Sequence, residues 1–193
     1  YVLINQGTQT LTDTYFAQWV DCDLGGHVDD YVGVDVERGL GYSYNGDAVD
    51  EPSSSSQGYG ENPPAVGIDF FEGPYQDADS IDNPLTSNFS NAIDSLGIPY
   101  EGIGIGYGDG IVDNERFGMR RFVYYNNSGN QINGEPSTPL HFYNYMNGIW
   151  KNGQKMAYGG DGVSAATGAN LDIEADYMFP GDTDPFNWGT GGT

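Results

Sequence analysis

Apolar residues in this chain recur mainly at alternate positions within short runs. The clearest run spans residues 31–44, in which Val32, Val34 and Val36 are separated by single small or polar residues. A period of two is typical of a β-strand with one buried face. The run therefore predicts a strand, and the Arg-Gly pair at residues 38–39 predicts a bend or bulge within it.

Other apolar runs are shorter and lie between turn residues. They predict strands at residues 2–4, 8–11, 65–71 and 117–125, and a strand or a short turn of helix at residues 14–20. Asn152 followed by Gly153 predicts a hairpin turn, because this pair readily adopts the backbone conformation of a two-residue turn. The polar stretch 46–63 predicts a long loop. Residues 88–95 predict a short helix, since their apolar side chains have helical spacing.

Turn-forming residues are frequent along the whole length. The 193 residues include 30 Gly and 10 Pro, and aromatic residues, which favour strands, make up 14% of the chain. Short strands with turns about every 8 to 12 residues predict an all-β fold, either a β-sandwich or a jelly roll. We expect long Gly/Asp-rich loops and at most one or two short helices. The length suits a single all-β domain over residues 1–193, and we expect it to be a fragment of a larger secreted polypeptide.

The chain is strongly acidic. It carries 28 Asp and Glu against 6 Lys and Arg, a formal net charge of -22. Such a charge repels phosphate backbones, so we expect no nucleic-acid partner, and without a long apolar run we expect no membrane insertion. Acidic side chains either solvate a surface or gather around cations. Here Asp predominates and clusters with Gly and Asn, which favours calcium sites, because Ca²⁺ binds about six to eight oxygen ligands.

Two acidic clusters are candidate calcium sites. The first runs from a polar loop into the strand that follows it, and we expect the first four of its members to converge on one ion: Asp21, Asp23, Asp29, Asp30 and Asp35. The second follows a glycine-rich stretch and consists of Asp109, Asp113, Asn114 and Glu115. It lacks the alternating acids and the sixth-position Gly of an EF-hand. For both clusters the alternative is a solvated acidic loop.

Other reactive side chains predict little chemistry. The lone Cys22 excludes an intrachain disulfide, and no Cys or His spacing matches a zinc site, so calcium is the expected cross-link. The neighbouring Asp21 and Asp23 disfavour a thiolate, and we expect Cys22 to be a small buried residue. His27 and His141 lie outside any catalytic motif. An enzyme is therefore less expected than a binding or structural module.

Aromatic side chains allow two interpretations. The three Trp residues and 15 Tyr either fill a β-sheet core or form an exposed face that stacks on sugar rings. The Trp residues in question are Trp19, Trp150 and Trp188. Their exposure distinguishes the two interpretations.

Nine blocks that span most of the chain carry a family resemblance. They are residues 19–23 (Trp-Val-Asp-Cys-Asp), 29–35 (Asp-Asp-Tyr-Val-Gly-Val-Asp), 40–46 (Leu-Gly-Tyr-Ser-Tyr-Asn-Gly), 62–74, 119–125, 143–148, 150–153, 158–160 and 179–185. Together they resemble a domain that recurs in large secreted proteins of Bacteroidota-type bacteria, many of which carry a type IX secretion sorting signal. The function of that domain is uncharacterised, so the resemblance implies secretion to the cell surface rather than an activity.

The sequence therefore predicts a calcium-stabilised structural or adhesive module of a secreted or cell-surface bacterial protein, located outside the cell. Its expected partners are other domains or copies of the parent surface protein, and glycans. The alternative is a glycan-binding or glycan-degrading domain of a secreted enzyme, because abundant aromatic residues and surplus carboxylates also suit sugar recognition and cleavage.

Overall fold

Short β-strands make up most of the regular structure. The computed structural model describes residues 1–76, 78–86 and 103–184. In chain order the elements are β1 (Asp30–Asp35), β2 (Leu40–Asn45), β3 (Val49–Asp50), β4 (Gly60–Glu61), β5 (Ala65–Asp69), β6 (Ile103–Ile105), β7 (Arg116–Met119), α1 (Pro139–Met146), β8 (Ala157–Tyr158) and β9 (Asn170–Glu174). Two 3-10 helices, His27–Asp29 and Ala165–Thr167, accompany them.

The strands form several small antiparallel sheets. One sheet has three strands in the order β1-β2-β5, and three further pairs join β3 with β4, β6 with β7 and β8 with β9. The predicted all-β fold is thus confirmed, whereas the sandwich or jelly roll stays a prediction. Among the described residues, no helix has the length and apolarity to cross a bilayer.

The predicted strand at residues 31–44 is a hairpin of two strands. β1 pairs with β2 along its whole length. The chain reverses at Gly39, whose φ of 65° lies in the left-handed region that glycine adopts without strain. The predicted bend at residues 38–39 is therefore a complete turn. The strand predicted at residues 65–71 is confirmed as β5.

The core lies between the inner face of β1 and the segment that follows β9. Two buried apolar clusters form it: Val34, Val36 and Tyr177 in the first, and Trp150, Met156, Ala175 and Met178 in the second. Phe122 packs against both clusters. Its backbone N–H donates to Asp176 O at 3.0 Å, and its carbonyl accepts from Met178 N at 3.1 Å. Phe122 therefore joins the two clusters and attaches the segment after β9 to the core.

The sequence pattern does not predict α1 as a helix. Thr138 caps the helix by accepting a hydrogen bond from His141 N, and Pro139 follows in the first turn. The buried Asn144 donates from Nδ2 to Lys151 O at 3.1 Å. Local capping, this buried amide and the packing of Tyr145 against the second core cluster thus hold a helix that apolar periodicity does not reveal.

The strands predicted at the N-terminus are wrong. Residues 1–26 contain no strand and no helix, although residues 2–4, 8–11 and 14–20 have suitable side chains. A strand requires a hydrogen-bonded neighbour, and this segment pairs with none of the described strands. Its contacts include two aromatic ones: Trp19 Nε1 donates to the Tyr125 hydroxyl, and the Tyr15 ring meets the Tyr143 ring edge-on.

Four further predictions have different outcomes. The strand predicted at residues 117–125 is found only as far as Met119, in β7, and the stretch 46–63, predicted as a loop, contains the β3–β4 pair. The turn at Asn152 and Gly153 is confirmed, and an antiparallel β-bridge between Ile149 and Lys155 encloses it. The helix predicted at residues 88–95 lies outside the described residues.

Replacing Trp150 with alanine is expected to lower the free energy of unfolding by about 3–5 kcal/mol. Its side chain is 1% exposed, and its Nε1 donates to Gly162 O at 2.8 Å. Trp19→Ala removes the same ring from a side chain that is 65% exposed, so the expected change is about 0.5 kcal/mol. Urea unfolding followed by circular dichroism measures both. Equal losses in the two variants would contradict the placement of the core.

Candidate metal centre

Two loops meet at the N-terminal end of β1. Residues 25–30 contain the first 3-10 helix and run into β1, and residues 45–51 run from the last residue of β2 through β3 to Glu51. Gly25 and Gly26 permit the approach, because a Cβ on either residue would overlap the side chain of Asp50. The contact between the loops therefore requires residues without side chains at these two positions.

Asp50 fastens the two loops to each other. Its side chain is 1% exposed. Oδ1 accepts a hydrogen bond from Gly26 N and Oδ2 accepts one from Tyr59 N, each at 2.7 Å. Because both oxygens have backbone donors, the buried carboxylate is satisfied. Asp50 thus positions the loops.

Three other acids converge where the loops meet. Asp29, Asp47 and Glu51 each offer a carboxylate oxygen, and these oxygens lie within 4.8 Å of one another. Ligands of one calcium ion, each about 2.3–2.6 Å from the metal, lie within about 5 Å of one another. The spacing therefore fits a single ion. Without a cation, three like charges at this distance repel one another.

Buried oxygens without hydrogen-bond partners border this group. Both carboxylate oxygens of Asp30 and Oδ1 of Asn45 are inaccessible and unpartnered. Asp30 and Asn45 are directly opposite in the β1–β2 ladder, so their side chains share one face of the sheet. The Asn45 Nδ2 also donates to Asp47 O at 3.3 Å, which links this pair to the three acids. Unpartnered buried oxygens are rare in native proteins and indicate a missing donor or cation.

The local electrostatics agree with this arrangement. Burial raises the pKa of Asp30, and the charges of Asp29 and Asp50 raise it further, while the nearby Leu24 backbone N–H and the charge of His27 act in the opposite direction. A carboxylate in this position is costly to ionise unless a positive charge is added. A cation would supply that charge.

The half-buried Cys22 lies close to three predicted acids. Burial raises the pKa of its thiol, and Asp21, Asp30 and Asp23 raise it further. Cys22 is less buried than predicted, but its thiolate is disfavoured as expected. Asp21 and Asp23 therefore lie near Asp30 without belonging to the close group of three carboxylates.

The structure separates Asp35 from the rest of the first cluster. Asp35 ends β1, and Asp30 begins it, so about 17 Å of extended chain lies between them. Its carboxylate pairs instead with Arg38 at 2.6 Å. Sequence reasoning also missed Asp47 and Glu51, which lie in the polar stretch after β2. The signal that would have found them is the hairpin register, which brings the end of β2 back to the start of β1.

The second predicted cluster lies on the loop between β6 and β7. Its members mainly accept hydrogen bonds from backbone N–H groups: Asp109 from Ile111, Asp113 from Ser80, and Glu115 from Asn83. Asn114 donates from Nδ2 to Asp109 Oδ2 at 3.0 Å. The structure thus brings this loop against residues 78–83, a segment that sequence reasoning did not include.

The aromatic residues divide between the core and the surface. Trp150 is in the core, Trp19 is exposed, and Trp188 lies outside the described residues. An exposed stripe of tyrosines instead crosses the outer face of the β1–β2 hairpin: the Tyr44 ring lies 5.9 Å from Tyr31 and 6.0 Å from Tyr42.

Comparison with protein-family models, with curated proteins and with solved structures finds no match to this chain. The resemblance noted in the sequence stays a prediction. The candidate metal centre therefore rests on the distances between its carboxylates and on the unpartnered buried oxygens beside them.

Asp30→Asn is expected to make the protein more stable in EDTA at neutral pH. Because the pKa of Asp30 is raised in the folded state, the folded protein holds this proton more tightly than the unfolded chain does. Its stability therefore falls as pH rises from the ordinary value of 3.8 through the raised folded value. The variant lacks this loss.

The measurement is urea unfolding in EDTA at pH 4 and pH 7. Asp172→Asn, which neutralises an exposed acid on β9, is the matched control and is expected to follow the wild type. If the stability of Asp30→Asn had the same pH dependence as that of the wild type, the raised pKa of Asp30 in the folded protein would be contradicted.

Proposed function

We propose that this chain is a calcium-stabilised structural or adhesive module of a secreted or cell-surface bacterial protein. The observation that carries the proposal is the convergence of Asp29, Asp47 and Glu51 within 4.8 Å. The unpartnered buried oxygens of Asp30 and Asn45 beside them support it. Asp29 is half-buried, whereas Asp47 and Glu51 are exposed, so the unpartnered buried oxygens are what distinguish this group from acids that only solvate a surface.

The donor set favours calcium over other metals. The three converging side chains are carboxylates, and the amide of Asn45 beside them adds an oxygen, and Ca²⁺ prefers such ligands in irregular arrangements. Zinc prefers Cys and His. The raised pKa of the Cys22 thiol keeps it protonated and unsuited to metal binding. Magnesium requires a more regular octahedron than two flexible loops supply.

An ion at this position would act as a cross-link. It would tie the 3-10 helix before β1 to the loop after β2, and the single Cys22 offers no disulfide to do so. Ligands that spread apart in the unfolded chain couple ion binding to folding. Calcium would thus stabilise the hairpin that carries the inner face of the core.

The cell-surface location rests on two supports. Extracellular modules commonly use calcium sites of modest affinity, about 10⁻⁴–10⁻³ M, and the blocks of sequence described above resemble domains of type IX secreted proteins. The charge of -22 suits a soluble surface that avoids nucleic acid. Its partners would be other domains or copies of the parent surface protein.

Calcium is expected to raise the free energy of unfolding, by about 2.7 kcal/mol when its concentration is 100 times the Kd. The double variant Asp29→Asn/Asp47→Asn keeps the shape of both side chains but removes two charges, so its stabilisation by calcium is expected to be smaller. Thermal unfolding with calcium and with EDTA measures the difference. Asp172→Asn is the control. Identical melting of the wild type in calcium and in EDTA would refute the proposal.

Glycan binding is the second candidate, and the tyrosine stripe favours it. Tyr31 and Tyr44 are 58% and 43% exposed. The Tyr42 ring lies over Gly33, where a Cβ would overlap it. Flat, exposed rings on a sheet suit stacking against sugar rings. The acidic surface would disfavour anionic glycans, so neutral polysaccharides are the preferred ligands.

Binding to a panel of soluble neutral polysaccharides in affinity gels tests this candidate. Tyr31→Ala and Tyr44→Ala are each expected to weaken binding about tenfold, since a lost ring contact contributes roughly 1.4 kcal/mol. Tyr59→Ala removes an equally exposed ring outside the stripe and should leave binding unchanged. Absence of wild-type binding across the panel would eliminate the glycan candidate.

A further inference from the structure

Glu115 is a buried carboxylate that lacks a counter-charge. Glu115 directly precedes β7, and its side chain is 1% exposed. Oε1 accepts a hydrogen bond from Asn83 N at 2.6 Å, but Oε2 has no partner. Within the described ranges, no Lys or Arg forms an ion pair with Glu115. An ionised carboxylate in this position is costly unless a positive charge compensates it.

Other buried polar atoms around Glu115 also lack partners. Gln76, whose backbone N donates to Glu115 O at 3.0 Å, has both amide atoms of its side chain unpartnered. Asn83 is 4% exposed and its Nδ2 has no acceptor. Asn114 leaves Oδ1, and Asp79 leaves Oδ2, without a donor. Hydrogen bonds from the backbone N–H groups of Gln76 and Asn83 thus place these two residues next to Glu115. Asn114 precedes Glu115 in sequence, and Asp79 belongs to the segment 78–83 that contacts the same loop.

Backbone hydrogen bonds hold the two contributing segments together. The Asp82 carboxylate accepts from Gly108 N at 2.8 Å and from Gly110 N at 2.7 Å. In the other direction, Asp113 Oδ1 accepts from Ser80 N at 2.7 Å. These bonds preorganise the two segments without satisfying the unpartnered oxygens. The arrangement needs a further positive group.

We propose that Glu115, Asp79 and Asn114 form a second centre for a hard divalent cation, calcium by its all-oxygen donors. The side-chain amides of Gln76 and Asn83 complete it, since a half-turn of an amide exchanges its oxygen and nitrogen. The centre goes beyond the proposed function because it shares no residue with the first centre. It locks residues 78–83 to the β6–β7 hairpin.

A cation explains the unpartnered oxygens better than a water molecule. Water can donate to Glu115 Oε2, but it leaves the buried charge uncompensated. It also donates to at most two of the unpartnered oxygens, whereas a calcium ion binds about six to eight. Unlike the first centre, this one has two carboxylates rather than three, with amides as the remaining donors. Amide donors lower the charge of a site and so its affinity.

Calorimetric titration of the full chain with calcium chloride tests the second centre. The wild type is expected to bind two ions, Glu115→Gln one, and Asp29→Asn/Asp47→Asn one. Combining all three substitutions is expected to abolish binding. Glu115→Gln retains an oxygen for Asn83 N and removes only the charge. Glu72→Gln, on an exposed acid that pairs with Arg116, is the matched control and should bind two ions.

The outcomes separate this proposal from the first centre. One ion in the wild type, lost in Asp29→Asn/Asp47→Asn but kept in Glu115→Gln, would overturn the second centre and leave the first standing. If Glu115→Gln fails to fold, Asp79→Asn replaces it with the same expectation. Hydrogen exchange on the Asp29→Asn/Asp47→Asn variant gives an independent readout: calcium should slow exchange of the Ser80 and Asn83 amides, and unchanged exchange would count against the proposal.

Discussion

Most carboxylates in this protein need partners other than basic side chains, because 28 acids face 6 Lys and Arg. The fold satisfies several of them with backbone N–H groups. Asp50 accepts from Gly26 and Tyr59, and Asp82 from Gly108 and Gly110. Each of these carboxylates ties one loop to another. Hydrogen bonds to charged acceptors are stronger than neutral ones, so acidity itself stabilises a structure in which the sheets are small.

One basic residue, Arg121, lies beside the core. Arg121 pairs with Asp176 and Glu174 beside the segment that Phe122 attaches to both apolar clusters. This half-buried ion pair lies where the two clusters meet. Neither Asp30 nor Glu115 forms an ion pair within the described ranges. In the regions around both residues, buried oxygens lack donors. Calcium at the two centres would supply positive charge in both regions, and each ion would cross-link two segments of the chain.

The fold class was predictable because strand periodicity and frequent glycine are local properties. β5 and the turn at Gly153 followed from such signals. The strands predicted before residue 26 failed for a physical reason: a strand exists through its hydrogen-bonded neighbour, and side-chain alternation does not reveal whether a neighbour is available. Conversely, the sequence pattern did not predict α1, because capping by Thr138 stabilises this helix despite its weak apolar pattern.

For the candidate sites, the sequence by itself determined that acids cluster in the regions around residues 21–35 and 109–115, and it predicted a cation in each region. Tertiary structure decided which oxygens meet. The hairpin register brings Asn45 and Asp47 close to Asp29 and Asp30. Asp35 is distant from them because it lies at the other end of β1. Likewise, burial of Glu115 against Asn83 depends on packing between segments distant in sequence. Coordination depends on distances of a few ångströms between such segments, and a one-dimensional pattern of residues does not contain them.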